Sequence, residues 1–319
     1  MLRSAAILLT LLCAGPALAQ RDSTARTIDI EQVEIAGVRP MKEIGVQRTV
    51  LDSAILRENI SSSLADALSA GSTIFIKSYG RATLATASFR GTAPSHTQVT
   101  WNGMKMNSPM LGQVDFSLIP SYFVDGASIY HGASSVGITG GGLGGAITLA
   151  TKEPETRGFA LRYVQGVGSF TTFDEFLRLS YRAERWSAVT RVLVSTSEND
   201  FRYRNYDSKQ FVINDNGEIV DACYPLQRNR NGAFRDLHLL QEFYYTSRQG
   251  DRFSLAAWYL DTDRGLALLS SDRNTSREKR NSQTERTLRA VAAWDRLFGA
   301  VKAGVRAGYT YDDLRYLME

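Results

Sequence analysis

One glycine-rich segment has the spacing of a nucleotide-binding loop. Gly140, Gly142 and Gly145 satisfy the GxGxxG pattern, which binds a dinucleotide when a strand precedes it and a helix follows it, because the helix N-terminus receives the pyrophosphate. Here the residues that follow, Ala146 to Ala150, alternate in the manner of a strand. The sequence therefore predicts no dinucleotide site and no cofactor, and a periplasmic oxidoreductase stays only as an alternative hypothesis.

The other residue types that do chemistry are not grouped. The three histidines, His96, His131 and His238, lack the spacing of metal ligands, and the sequence contains no P-loop, HExxH or GxSxG motif. Only two cysteines occur, Cys13 and Cys223, which excludes a disulfide framework. We predict no catalytic residue, no metal site and no enzyme.

Composition and the first residues bound the class of protein. The 37 basic and 33 acidic residues give a net charge of only +4 without a basic run, so no nucleic-acid partner is expected. Residues 1–19 combine Arg3, an apolar run from Ala5 to Leu12 and the small-x-small site Ala17-Leu18-Ala19. This pattern predicts a cleaved signal peptide and therefore export.

Residues 20–40 form a polar segment that contains one short alternating stretch, Glu31 to Gly37. The residues alone leave two interpretations open. The stretch is either an ordinary first strand or a peptide that adds as a strand to the sheet of a partner.

Residues 41–152 have the pattern of an α+β domain. We predict helices over Leu51–Asn59 and Ser61–Ala70, the second capped by Ser61 or Ser62, and a strand over Thr73–Lys77. A strand from Thr97 to Trp101 then ends at Asn102-Gly103, which predicts a two-residue hairpin turn.

The pattern changes over residues 158–319. Apolar and polar residues alternate in segments of strand length, most clearly from Val301 to Tyr311 and from Leu177 to Tyr181. One connection is short (Ala183 to Arg185) and two are long (Glu198 to Ala233 and Gly265 to Ser282). This asymmetry is typical of an antiparallel transmembrane β-barrel. A soluble β-sandwich is the alternative, which export and the polar second face of each strand disfavour.

Three ordered segments of the α+β domain resemble the plug of the TonB-dependent outer-membrane transporters: Ser88–Gly91 through Trp101–Asn107, then Asp125–Ser135, then Gly144–Lys152. Asn102 stands where the family usually has Asp, which keeps the turn but changes its charge. The matching plug-motif residues are Arg90, Gly91, Asn102, Gly103, Gly144 and Gly145. The resemblance also favours a TonB box over the residues Glu31, Gln32, Val33, Glu34, Ile35, Ala36 and Gly37.

The resemblance implies an outer-membrane receptor for TonB-dependent active uptake of a scarce solute. A cobalamin-like corrinoid is the first expectation, followed by a ferric siderophore or haem. The implied partners are TonB with its inner-membrane energising complex, outer-membrane lipid and the solute. Plug residues expected to contact the solute are Tyr79, Arg81, Lys105, Asn107 and Gln113.

A passive outer-membrane porin or an adhesin-like barrel without energy coupling is the alternative to a TonB-dependent receptor. The family barrel has 22 strands, whereas residues 158–319 contain only about seven, so we expect a truncated chain or a broken gene product.

Overall fold

The computed structural model describes residues 46–136, 142–267, 281–299 and 301–318. These residues belong to one compact unit, Gly45–Glu319. The predicted signal peptide and TonB box lie outside the described residues. Among the described residues, no helix is long and apolar enough to cross a membrane.

The first part of the structure, here called the N-terminal domain (residues 46–152), is an α+β domain. Its main sheet has the strand order β1-β6-β7-β4-β5, in which only β4 and β7 are parallel, and β2 and β3 form a separate hairpin. The strands are β1 (Arg48–Leu51), β2 (Phe75–Ser78), β3 (Ala85–Ser88), β4 (Thr97–Trp101), β5 (Met104–Lys105), β6 (Gly126–His131) and β7 (Gly145–Ala150). The helices are α1 (Ser53–Leu56) and α2 (Leu64–Gly71), with single 3-10 turns at Pro94–His96, Phe116–Leu118, Ser121–Phe123 and Gly132–Ser135.

Both predicted helices differ from the observed ones. The prediction of α1 over Leu51–Asn59 was too long, because Leu51 pairs with β6 as the end of β1 and Asp52 then caps the short helix. The prediction of Ser61 or Ser62 as the cap of α2 was wrong. Ser63 caps it, through a reciprocal pair of bonds with Asp66 that satisfies two free N–H groups of the first turn.

The hairpin turn predicted at Asn102-Gly103 is confirmed. It joins β4 to β5 with φ of 48° at Asn102 and 84° at Gly103, the left-handed pair that a type I′ turn requires. The Asn102 side chain donates to Thr151 Oγ1 (2.8 Å) and accepts from the Thr151 backbone N–H (3.0 Å). The turn is thereby joined to the residue that follows β7.

The second part, here called the strand sheet, has seven antiparallel strands, which confirms the prediction of about seven; their order is β18-β17-β16-β15-β10-β9-β8. Two small hairpins, β11 with β14 and β12 with β13, lie in the connection between β10 and β15. The seven strands are β8 (Gly158–Gly168), β9 (Thr172–Arg182), β10 (Trp186–Ser197), β15 (Phe234–Thr246), β16 (Arg252–Gly265), β17 (Ser282–Phe298) and β18 (Val301–Leu317). The hairpin strands are β11 (Arg202–Arg204), β12 (Gln210–Ile213), β13 (Ile219–Cys223) and β14 (Leu226–Arg228).

The predicted asymmetry of the connections is present with one exception. Short turns over 183–185 and 247–251 lie at one end of the sheet, and the long connections after β10 and β16 leave from the other. The connection from β8 to β9 is also at the long-connection end but spans only residues 169–171.

The strand sheet uses its two faces differently. On β10, Arg191 and Leu193 are buried against the N-terminal domain and Val189 is buried on the same face, whereas the alternate residues Trp186 and Val194 are exposed. The alternate face of the sheet is apolar and aromatic, with the exposed side chains Phe159, Leu161, Tyr181, Trp186, Phe243, Tyr245, Phe253, Leu255, Val305, Tyr309 and Tyr311. The alternation predicted from the sequence is therefore confirmed.

The loop that follows β5 depends on Asn107, and this gives a first prediction. Its buried amide accepts from Val99 N–H (2.9 Å) and donates to the carbonyls of Thr97 and Gly112 (2.9 Å each). Because Asn107→Ala leaves these groups without that partner, we expect a loss of about 3 kcal/mol in the free energy of unfolding. Denaturant unfolding of the chain in detergent measures it. Asn216→Ala, in an exposed turn, is the control and should change stability by less than about 0.5 kcal/mol; equal effects would contradict the assignment.

Candidate functional site

The candidate site is the interface between the N-terminal domain and the inward face of the strand sheet. At its centre the Phe123 ring lies 5.4 Å from His238, 5.5 Å from Trp258 and 6.2 Å from Phe176. Trp101 meets Trp258 edge to face at 5.4 Å. Buried aromatic edges of this kind hold two surfaces together over a large apolar area.

A buried arginine joins the two parts beside this aromatic cluster. Arg191 on β10 forms an ion pair with Asp125 of the N-terminal domain and a second, at 3.3 Å, with Glu242 on β15. It also donates to the Phe123 carbonyl at 3.1 Å. The Arg191 and Glu242 side chains are 1% and 0% exposed, so each charge depends on the others for its neutralisation.

A second arginine link lies at the long-connection end of the sheet. Arg264, next to the last residue of β16, donates to Asp115 Oδ2 at 2.6 Å and to Ser117 Oγ at 3.2 Å. Its third partner is the Ala82 carbonyl at 3.3 Å. Asp115 in turn accepts from the backbone N–H of Ala85, so this link orders the turn between β2 and β3.

The third link is reversed, since the arginine belongs to the N-terminal domain. Arg81 pairs with Asp174 on β9 and donates to Ser195 Oγ on β10 at 3.0 Å. Ser61 Oγ donates to the same carboxylate at 2.6 Å. The Arg81 side chain is 33% exposed, and a cavity of about 200 Å³ lies beside it.

The residues predicted to contact the solute are spread over different environments. Tyr79 is exposed in the turn between β2 and β3, and Lys105 is exposed on β5. Gln113 is half-buried and lines a narrow cleft against β17 and β18. Arg81 and Asn107 hold the fold together through the bonds described above. Contact with the solute remains a prediction for all five.

Sequence reasoning missed two exposed side chains of the loop that contains Gln113. Met110 is 84% exposed and Leu111 is 47% exposed. Apolar side chains in a loop carry no sequence signal that separates an exposed tip from a buried one. The fold shows them on the loop closed by the Ser108–Gln113 backbone bond.

The plug-motif residues have structural partners. Arg90 and Gly91 form the turn after β3, and Arg90 donates to Gln47 Oε1 at 3.3 Å. Gly144 is buried, and its carbonyl accepts from Gly132 N–H at 3.0 Å. Gly145 opens β7 with φ of +154°, where a Cβ atom would lie 2.5 Å from the Tyr130 carbonyl oxygen. A strand follows these glycines, as predicted, although Gly140 lies outside the described residues.

His131 joins the first strand of the domain to β6. Its Nε2 lies 3.2 Å from Thr49 Oγ1 on β1. Partial burial, and then the nearby Arg90 guanidinium, lower the pKa of His131 below the usual 6.5. The imidazole is therefore neutral at pH 7.

This lowered pKa predicts a pH effect on β1. The folded state binds the proton less readily than the unfolded state, so the contribution of His131 is complete above pH 6.5 and is lost as the pH falls through the folded pKa. Amide hydrogen exchange should show less protection of β1 relative to β7 at pH 5 than at pH 7, after correction for intrinsic rates. An equal ratio in the wild type, or the same change in His131→Gln, would contradict the role of His131.

The Arg191 link gives a prediction about stability. Arg191→Met leaves Glu242 buried without its cation and leaves Asp125 with the half-exposed Arg57 at 3.6 Å, and we expect the free energy of unfolding to fall by about 3–5 kcal/mol. Replacing all three charges (R191M, D125N and E242Q) should recover much of that loss. Thermal unfolding in detergent measures both variants. The exposed pair Arg228–Asp200 supplies the control, since Arg228→Gln should cost no more than about 1 kcal/mol.

Comparison with known proteins agrees with this geometry. Residues 40–146 match the family model of the TonB-dependent receptor plug domain. No curated protein matches the chain. Similar solved structures include the siderophore receptor PiuA from Acinetobacter baumannii, with 15% identity and a TM-score of 0.60 over 85% of this chain and 37% of that one.

Two more structures are similar to the same extent. The FrpB iron transporter from Neisseria meningitidis has 13% identity and a TM-score of 0.66 over 84% of this chain and 41% of that one. A mutant of the ferric enterobactin receptor PfeA from Pseudomonas aeruginosa has 12% identity and a TM-score of 0.56, over 86% and 41%. At such identities the likeness concerns the fold, and this chain spans about two fifths of their length. Residues 40–146 thus match the plug domain of TonB-dependent receptors, and the seven strands that follow share the fold of these solved structures.

Proposed function

We propose that this chain belongs to an outer-membrane receptor that takes up a scarce solute with energy supplied through TonB. One observation carries the proposal: the plug domain packs on the inward face of a strand sheet whose outward face is apolar and aromatic. Such a sheet suits lipid on one side and a filled pore on the other. Export through the predicted signal peptide, residues 1–19, is part of the same proposal.

Coupling to TonB is proposed through Glu31–Gly37. This stretch precedes β1, and among the described strands β1 lies at the edge of the plug sheet and pairs with β6 alone. An extended peptide that adds to the sheet of a partner gains main-chain hydrogen bonds. A pull on the stretch would reach β1 before any other strand of the plug.

For the solute we propose a metal chelate. The similar structures are those of a siderophore receptor, an iron transporter and a ferric enterobactin receptor, which makes a ferric chelate the first solute to test. Haem and a corrinoid follow; the corrinoid was favoured by the resemblance of the plug motifs alone. The predicted plug contacts remain the proposed ones (Tyr79, Arg81, Lys105, Asn107 and Gln113), and the exposed side chains of Met110 and Leu111 are added to them.

The proposed coupling predicts direct binding of TonB. The purified chain in detergent should bind the periplasmic C-terminal domain of TonB, and deletion of residues 31–37 should abolish this binding. Val33→Pro should weaken it, because proline removes a backbone donor from an added strand. Isothermal titration calorimetry or a pull-down measures the interaction. Deletion of residues 20–26, which has the same length, is the control and should leave binding intact.

The same experiment distinguishes TonB-dependent uptake from the alternative function. A passive porin or an adhesin-like barrel has no need of TonB, so undiminished binding after deletion of residues 31–37, or no binding by the intact chain, would favour that alternative. Growth of a producing strain on a single ferric chelate, haem or corrinoid would then identify the solute.

A further inference from the structure

The cavity beside Arg81 differs from the rest of the plug–sheet interface. It encloses about 200 Å³, room for about six water molecules at roughly 30 Å³ each. Its plug wall comes from the loop before α2 and from the turn after β2, and its other wall comes from β9, β10 and β15. The lining is rich in hydroxyl and carboxylate groups, from Ser61, Ser62, Ser63, Asp66, Ser78, Ser117, Asp174, Ser195 and Asp236.

The neighbouring parts of the interface are closed by stronger contacts. On one side the aromatic cluster around Phe123 is dry, and Arg191 is bound there by two carboxylates and a carbonyl. On the other side Arg264, 2% exposed, is held by Asp115 and Ser117. Between them the two walls are joined by the Arg81–Asp174 ion pair, in which a third of the Arg81 side chain is exposed, and by a hydrogen bond from Ser61 Oγ to the same carboxylate (2.6 Å). A half-exposed ion pair contributes less stability than a buried, multiply bonded one.

We propose that the passage for the solute opens at this cavity, where the loop Ile60–Ser63 and the turn Gly80–Ala82 part from β9 and β10, and that the Arg81–Asp174 ion pair is the latch that closes it. This inference rests on the proposed transport function. It adds the place at which the plug separates from the strand sheet. Arg81 is a positioning residue here, because it acts by holding two surfaces together.

The lining also determines which solutes the opened passage favours. When Arg81 leaves Asp174, this carboxylate faces the cavity together with serine hydroxyls and the Asp66 carboxylate. A narrow cavity whose wall carries a surplus of negative charge attracts cations and repels anions. The passage therefore favours cationic or neutral hydrogen-bonding solutes over anionic ones.

Cysteine accessibility in the intact chain tests the location of the passage. Ser62→Cys places a thiol in the lining, and Ser121→Cys is its matched control, because Ser121 N–H donates to the Ser62 carbonyl (3.2 Å) while Ser121 itself is fully buried. Both variants carry Cys223→Ser, which removes the native exposed thiol. In detergent, a cationic methanethiosulfonate reagent should modify Cys at position 62 and leave position 121 unmodified.

Opening the latch should then change the rate at one position only. Adding Arg81→Gln should raise the modification rate at position 62 by about tenfold, since the bonds of a charged group to Asp174 and Ser195 are lost. Arg228→Gln, which breaks an exposed ion pair elsewhere, should leave the rate unchanged. In the Arg81→Gln background the cationic reagent should react about fivefold faster than the anionic sulfonatoethyl reagent, after each rate is divided by the rate of the same reagent with a small free thiol.

Several results would overturn the proposal. Equal modification rates at positions 62 and 121, or no increase in the rate at position 62 on Arg81→Gln, would show that the passage does not open at this cavity. A faster reaction of the anionic reagent would refute the charge preference. If Arg81→Gln unfolds the plug, position 121 becomes reactive as well. In that case Asp174→Asn, which removes the ion pair from the side of the sheet, must give the increase at position 62 without an increase at position 121. The TonB-binding experiment does not depend on the cysteine experiment. The proposed coupling to TonB and the proposed location of the passage can therefore be contradicted separately.

Discussion

The burial of one positive charge constrains the whole assembly. Arg191 lies in the middle of β10 and points away from the apolar face, so its guanidinium must find its counter-charges inside. One comes from the neighbouring strand (Glu242) and one from the plug (Asp125). Asp125 Oδ2 also accepts from Lys152 N–H at 2.9 Å, just after β7. A single guanidinium thus relates the position of the plug, the register of two strands and the chain leaving the plug.

The kind of contact matters as much as its strength. An interface made only of apolar surface would hold the plug with little directional preference, because the hydrophobic effect is non-directional. The arginine links each accept few geometries, since a planar guanidinium must meet carboxylate and carbonyl oxygens together. The aromatic cluster around Phe123 supplies the buried area between them. The plug is therefore held strongly and in one orientation.

Whether a feature could be predicted from the sequence depends on how far apart its interacting residues lie along the chain. The Asn102-Gly103 turn, the strand alternation and the strand after the glycine cluster depend on neighbouring residues, and all three are confirmed. The cap of α2 was misassigned by one or two residues, because three serines in succession each satisfy the local rule and only Ser63 also meets Asp66 three positions later. Arg81 and Asn107 were predicted as solute contacts. Their role as structural bonds was not predictable, because the partner of Arg81, Asp174, lies 93 residues away in sequence.

The contacts that hold the plug together and to the sheet form a series of increasing strength along the plug. At its N-terminal edge β1 has four paired residues and the exposed bonds of Gln47 to Arg90 and Ser134. Next comes Arg81, with a third of its side chain exposed, beside the polar cavity. At the C-terminal edge Asp125 and Lys152 are joined to Arg191 in a dry interior. Local opening in proteins begins where burial is lowest and hydrogen bonds are exposed. A force applied before β1 would therefore rearrange the edge and the Arg81 region while Arg191 still retained the plug, so partial opening requires less free energy than release.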